Sequence, residues 1–173
     1  MFAIVQNGQI VQLVPPGTAF ELNGVNYPAN WCNLSTPQEK TAIGMVDVVY
    51  GPSPNPEYYW VTEDAPVYNT ETAQVDINFT ATPKDLAELQ SQQVTATNQA
   101  AWNILQPSDW MVVRATETGT DPVPADWNAW RQAIRNQAAD QVAAINACVD
   151  VAQLAALPQV NWLPSPDQPT QTV

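Results

Sequence analysis

The chain holds two long stretches with neither glycine nor proline, Lys84 to Leu105 and Asp126 to Leu157, while the residues before Thr82 are broken by turns at short intervals. Because glycine and proline are the strongest local breakers of regular structure, that contrast divides the chain by character. It predicts an α+β architecture. An N-terminal antiparallel β domain, sandwich-like, is expected over residues 1–81, followed by a C-terminal domain of two long helices over residues 82–173.

Within the first part, Phe2-Ala3-Ile4-Val5 and Ile10-Val11-Gln12-Leu13-Val14 flank Asn7-Gly8, and Phe20 with Leu22 faces Val25 with Tyr27 across Asn23-Gly24. Asn-Gly between apolar runs predicts a hairpin, since both residues accept the positive φ of a tight type I′ turn. Thr36-Pro37-Gln38-Glu39 predicts a short helix ending near Gly44, with Thr36 as cap and Glu39 closing a capping box. Met45 to Tyr50, Tyr58 to Val61, and the alternating Val75, Ile77 and Phe79 complete roughly seven short strands.

Thr82-Pro83 repeats the cap-then-proline pattern and predicts the start of the first long helix, Lys84 to Leu105. Its apolar stripe is thin, so it is expected to pack on another helix or on another chain. Leu86, Leu89, Gln93, Ala96 and Ala100 allow a heptad reading with one polar seam position. Gln106 to Pro124 is punctuated by prolines and Gly119 and predicts a linker. The second helix is expected from about Asp126 to Leu157, with Trp127, Trp130, Ile134, Ala138, Val142, Ile145 and Val149 at helical spacing. Leu86, Leu89, Gln93, Ile134, Ile145 and Val149 are the candidate oligomerisation residues. The tail from Pro158 to Val173 is proline-rich, with Trp162 and Leu163 as an apolar anchor.

Composition excludes several functions. Five Lys and Arg against 17 Asp and Glu leave a net charge of -12, opposing contact with nucleic acid or an anionic membrane surface. No run of about 18 apolar residues predicts a transmembrane helix, and the chain opens on a strand-like pattern, so folding in a cytoplasm is expected. There is no histidine, which removes the usual base of a nucleophile and the commonest ligand of catalytic zinc. No glycine-rich phosphate loop is present. The chain is therefore not expected to be an enzyme or to carry a cofactor or metal. Cys32 and Cys148 are expected to be free, buried thiols.

Three of seven tryptophans and three of five basic residues fall between Ser108 and Arg135. Asp109, Trp110, Arg114, Glu117, Trp127, Trp130, Arg131 and Arg135, joined by Trp162, predict a structural clip or a partner interface. In the clip reading, arginine stems pack on tryptophan faces while their guanidinium groups meet Asp109 or Glu117. In the first domain Trp31, Tyr58, Tyr59 and Trp60 are candidate client-binding aromatics, although filling a sandwich core is the more ordinary role for strand aromatics.

With these residues in view, the chain resembles the tail-fibre assembly chaperones and related tail-assembly proteins of tailed bacteriophages. The resemblance rests on Ser108-Asp109-Trp110, Arg114, Val123-Pro124, Trp127, Trp130-Arg131-Gln132-Ala133-Ile134-Arg135 and Val160-Asn161-Trp162-Leu163-Pro164. In that family an aromatic residue, more usually Tyr, stands where Trp130 stands, and the closing tryptophan follows without the Ala-rich stretch Gln137 to Leu157. The resemblance implies a non-enzymatic chaperone that assists folding and trimeric assembly of a tail fibre in the host cytoplasm during phage assembly. Its partners would be the fibre protein and itself, as a homotrimer, with the β domain gripping the fibre and the helical domain trimerising. The rival expectations are a structural subunit of the virion tail (fibre, baseplate or adaptor) and a sugar-binding receptor module.

Overall fold

The computed structural model describes residues 1–167, and the chain divides into two compact units, Met1–Thr82 and Pro83–Val173. Unit one begins with the two hairpins. Strands β1 (Phe2–Gln6) and β2 (Gln9–Val14) turn at Asn7 and Gly8, and β3 (Phe20–Leu22) and β4 (Val25–Tyr27) turn at Asn23 and Gly24. All four turn residues have φ between 51° and 78°, the left-handed conformation that Asn and Gly tolerate best.

Two short helices follow, α1 (Trp31–Leu34) and α2 (Pro37–Ala42). The capping box of α2 is complete: Glu39 N–H donates to Thr36 Oγ1 at 3.3 Å, and Thr36 N–H donates to Glu39 Oε2 at 2.7 Å. That backbone donor, then the Thr36 hydroxyl at 2.9 Å, holds the Glu39 carboxyl below its ordinary value. A carboxyl whose value is depressed on folding stabilises the fold above its unfolded value and loses that contribution as pH falls through the folded one. Carboxyl titration by NMR is expected to show the lowered Glu39 value in the native chain and, because Thr36→Ala removes the hydroxyl but keeps the backbone donor, a return only part of the way in that variant. An unchanged value there would mean that the Thr36 hydroxyl does not act on Glu39.

The remaining strands are β5 (Met45–Tyr50), β6 (Tyr59–Glu63), β7 (Val67–Asn69), β8 (Gln74–Ile77) and β9 (Phe79–Pro83). Here the architecture departs from the expected antiparallel sandwich. One five-stranded sheet, in the order β2-β1-β5-β8-β7, curls into a half-barrel, while β3-β4 and β6-β9 form separate two-stranded sheets. Val48–Tyr50 of β5 pairs with Val75–Ile77 of β8 in parallel, the other ladders of the curled sheet being antiparallel. A parallel pair needs a crossover, and residues 51–73 supply it, carrying β6 and β7. Curling also covers both faces of β1, since the successive residues Ala3 and Ile4 are each wholly buried. Ile4, Val14, Phe20, Leu22, Cys32 and Met45 form the core beneath, sealed by Phe20 stacked on Tyr27 at 4.7 Å.

Unit two holds α3 (Leu86–Leu105), a single 3-10 turn (Gln106–Ser108), α4 (Asp109–Thr118), α5 (Ala125–Ala147) and α6 (Val151–Ala156). The two helical stretches are present, but three details differ from expectation. Thr82-Pro83 does not start α3, because Pro83 ends β9; the cap is Asp85, whose carboxylate accepts the Glu88 N–H at 2.8 Å. The expected linker contains α4, which Gly119 closes in the left-handed conformation at φ 62°.

The second helix stops at Ala147 instead of Leu157. Cys148 is extended, and Asp150 caps a new helix by accepting the Gln153 N–H at 2.7 Å. The break is supported from outside the helix. Gln90 of α3 donates its side-chain amide to the carbonyls of Ile145 and Cys148, at 2.9 and 3.0 Å, adding to the Cys148 N–H that Ile145 already accepts and supplying a donor to the Cys148 carbonyl past the helix end.

Leu86, Leu89, Gln93, Thr97, Ala101 and Leu105 mark the inward face of α3, which departs from the heptad reading after Gln93, since Ala96 is exposed while Thr97 and Ala101 are covered. It packs on α5 within the same subunit. Ala101, Trp130, Ile134 and Ala138 form a core cluster with Ile104, Leu105, Trp127 and Trp162 against it. The residues of the proline-rich tail beyond Asp167 lie outside the described residues.

Candidate interaction site

The Ser108–Arg135 cluster is built around one buried cation. Arg131, only 5% exposed, extends from α5 to the 3-10 turn. Its Nη1 donates to the Leu105 carbonyl at 3.0 Å and to Ser108 Oγ, and its Nη2 meets Asp109 Oδ1 at 2.6 Å. Ser108 Oγ in turn donates to the Leu105 carbonyl at 2.7 Å. The planar fork of a guanidinium suits such a set, because its N–H groups leave in fixed directions toward several acceptors. Asp109 keeps about half its side chain in water, so the pair is desolvated chiefly on the arginine side.

Next to this fork the tryptophans gather the tail. Trp127 and Trp130 lie edge to face at 5.4 Å, and Trp130 Nε1 donates to the Leu163 carbonyl at 3.1 Å. Gln137 donates to the Asn161 carbonyl at 3.0 Å and accepts from the Leu163 N–H at 3.4 Å, gripping the backbone on either side of Trp162. Gln141 adds a bond to the Pro158 carbonyl at 3.2 Å. An open cavity of about 510 Å³ remains between Trp127, Trp130, Trp162, Ile104 and Pro107.

Arg131 meets Asp109, one of the two acids expected, together with the oxygen acceptors of the turn, whereas Arg114 pairs with Asp121 at 2.8 Å rather than with Glu117. Trp110, Arg114, Glu117 and Arg135 are exposed, Trp110 at 56%. The cluster thus separates into an inward fastening, in which Arg131, Trp127, Trp130 and Trp162 hold the turn, the tail and Asp109 at the start of α4, and the rest of α4, which has no buried residue.

The candidate oligomerisation residues are divided in the same way. Leu89, Ile134 and Ile145 are buried inside the subunit and cannot face a second copy, because packing of α3 on α5 has already covered them. Leu86 and Gln93 are half-buried, and Val149 is exposed at the break between α5 and α6. Besides Val149, outward apolar surface on this unit lies at Trp102, Trp110, Val112, Val113 and Leu163.

Among the client-binding candidates, Trp31 belongs to the core of unit one, edge-on to Tyr27 at 4.9 Å and to Phe20 at 5.9 Å. It sits on α1, not on a strand. Tyr58 and Tyr59 are half-buried. Trp60 points outward at 66% exposure, as alternation along β6 requires once Tyr59 and Val61 turn inward, so the core role expected for it does not hold.

The residues that sequence reasoning missed are glutamines. Gln90, Gln137 and Gln141 resembled surface filler, yet each satisfies backbone groups of a distant segment. Their half-buried positions on helices facing helix ends and tail are tertiary facts without a local signature.

Cys32 and Cys148 are free and buried. Among the described residues no group of three or more His, Cys, Asp or Glu stands close enough to hold a metal ion, and no helix is long and apolar enough to cross a membrane. No family model, no curated protein and no solved structure matches the chain.

Proposed function

We propose that the chain is a non-enzymatic assembly chaperone of a tailed bacteriophage, which assists the folding and trimeric assembly of a tail fibre in the host cytoplasm. The observation that carries this reading is the fork and tryptophan fastening. Ser108, Asp109, Trp127, Trp130, Arg131 and Trp162, six of the residues on which the resemblance to that family rests, are scattered over more than fifty positions and act together in one fastening, while Trp110, Arg114 and Arg135 of the same motif stay exposed outside it.

In this reading unit one grips the fibre and unit two brings copies together. Trimeric fibres bury strand edges only when three chains meet, so a chaperone of matching symmetry raises their effective concentration and shields them until then. The outward face of α4 suits self-association better than the residues buried between α3 and α5. A ten-residue helix with no buried side chain and with Trp110 and Val113 in water gains little from its own subunit.

Co-expression with a tail-fibre protein of the same phage is expected to raise the yield of soluble, trimeric fibre severalfold, with light scattering giving a trimer of this chain. Unchanged fibre solubility would remove the chaperone role, and a monomer both alone and with the fibre would remove the trimer. Mass spectrometry of purified particles separates a chaperone, scarce there, from a structural subunit of the tail, present in fixed copy number.

A further inference from the structure

β2 and β7 are the outer strands of the curled sheet, each hydrogen-bonded to a sheet neighbour on one side. They approach within 8 Å in Cα separation without pairing. A slot of about 490 Å³ lies there, with Gly8, Gln9 and Ile10 on one wall and Pro66, Val67 and Tyr68 on the other. A sheet that nearly closes and does not leaves the backbone donors and acceptors of its edges facing the gap.

Edges are ordinarily protected by shortness, charge or proline. β7 is protected, being three residues long and preceded by Pro66. β2 is six residues, Gln9–Val14, with neither charge nor proline. Its one irregularity is Val11, passed over between the pairs Ile4–Gln12 and Val5–Ile10, and that side chain is 55% exposed.

Charge narrows the occupant. Residues 1–82 carry eight carboxylates against one cation, Lys40, which lies over the Phe2 ring at 4.4 Å. Glu63 and Asp64 precede Pro66, and Glu71 follows β7. An acidic segment entering here meets like charge, and a basic one is drawn in.

We propose that the outer edge of β2 accepts an extended segment of a partner protein as an added strand, the segment carrying lysine or arginine and no acidic residue. This deepens the client-gripping role of unit one and rests on it for the partner's identity. Backbone hydrogen bonds hold such a strand, and its side chains set preference. Two ladder spacings come to about 9.6 Å, wider than the gap, so β7, the shorter edge, moves outward as the strand pairs with β2.

The test uses the full chain and three synthetic nine-residue Thr/Val peptides: one flanked by lysines, one by glutamates, and one lysine-flanked with a central proline. At millimolar lysine peptide, amide exchange within Gln9–Val14 is expected to slow about tenfold, less with the glutamate peptide and not with the proline one. Val11→Lys, at an exposed position, is expected to abolish the slowing. Equal effects from the three peptides, or none on β2, overturn the inference. Fibre co-expression is scored separately. Rescue of the fibre without peptide protection removes the strand edge and keeps the chaperone, whereas protection without rescue does the reverse.

Discussion

Gly44→Ala is expected to destabilise unit one by about 3 kcal/mol, combining the strain of left-handed backbone with a steric clash. Gly44 ends α2 with φ 72°, and its carbonyl accepts the Val5 N–H at 2.8 Å, which brings it flush against β1. A Cβ there would fall on the Val5 carbonyl oxygen, a backbone atom that cannot swing aside as the end of a flexible side chain could. Gly17→Ala is the control. It shares a positive φ of 70° but has open space around the added methyl, so only the conformational cost of about 1 kcal/mol applies. Urea denaturation of the two variants should show a clearly larger loss for Gly44→Ala. Equal losses would mean that β1 shifts to accommodate the methyl and that the α2–β1 junction is looser than its geometry implies.

Arg131→Met is expected to cost about 3 kcal/mol in unit two, because it removes the donors and leaves their acceptors in place. Ser108 is 1% exposed and cannot recover its lost partner from water, although it can keep its bond to the Leu105 carbonyl. Asp109, half in solvent, is rehydrated and contributes little to the loss. Arg131→Lys should recover only a minor part, since one ammonium cannot reach the turn carbonyl, the hydroxyl and the carboxylate in the directions a guanidinium fork supplies. Denaturation midpoints, together with faster amide exchange around the 3-10 turn, would measure it. A loss below about 1 kcal/mol for the methionine variant would show that apolar packing, not the fork, fastens the turn to α5.

Features carried by neighbours in sequence were legible before any tertiary information. Asn7-Gly8 and Asn23-Gly24 announce their turns because only a few residues tolerate positive φ, and Thr36 with Glu39 announces α2 because the box closes over three residues. The Ser108–Arg135 concentration was visible as a clip or a partner interface, with Asp109 as an arginine partner. That Arg131 also takes the Leu105 carbonyl and the Ser108 hydroxyl was not visible, since which oxygens it reaches depends on how α5 is rotated against α3. Proline and glycine also misled. Pro107 and Gly119 suggested a linker, and in fact they bracket α4 at its entry and its end.

The division into a turn-rich β part and a helical part follows from the order of residues alone, because breakers, caps and apolar periodicity act within a few positions of where they stand. Strand order, the parallel β5–β8 ladder, the stop of α5 at Ala147 and the side of Trp60 that meets water were decided by segments tens of residues away. Each of them depends on a backbone group finding its partner, or an apolar side chain its cover. That accounting closes only when the whole unit is assembled.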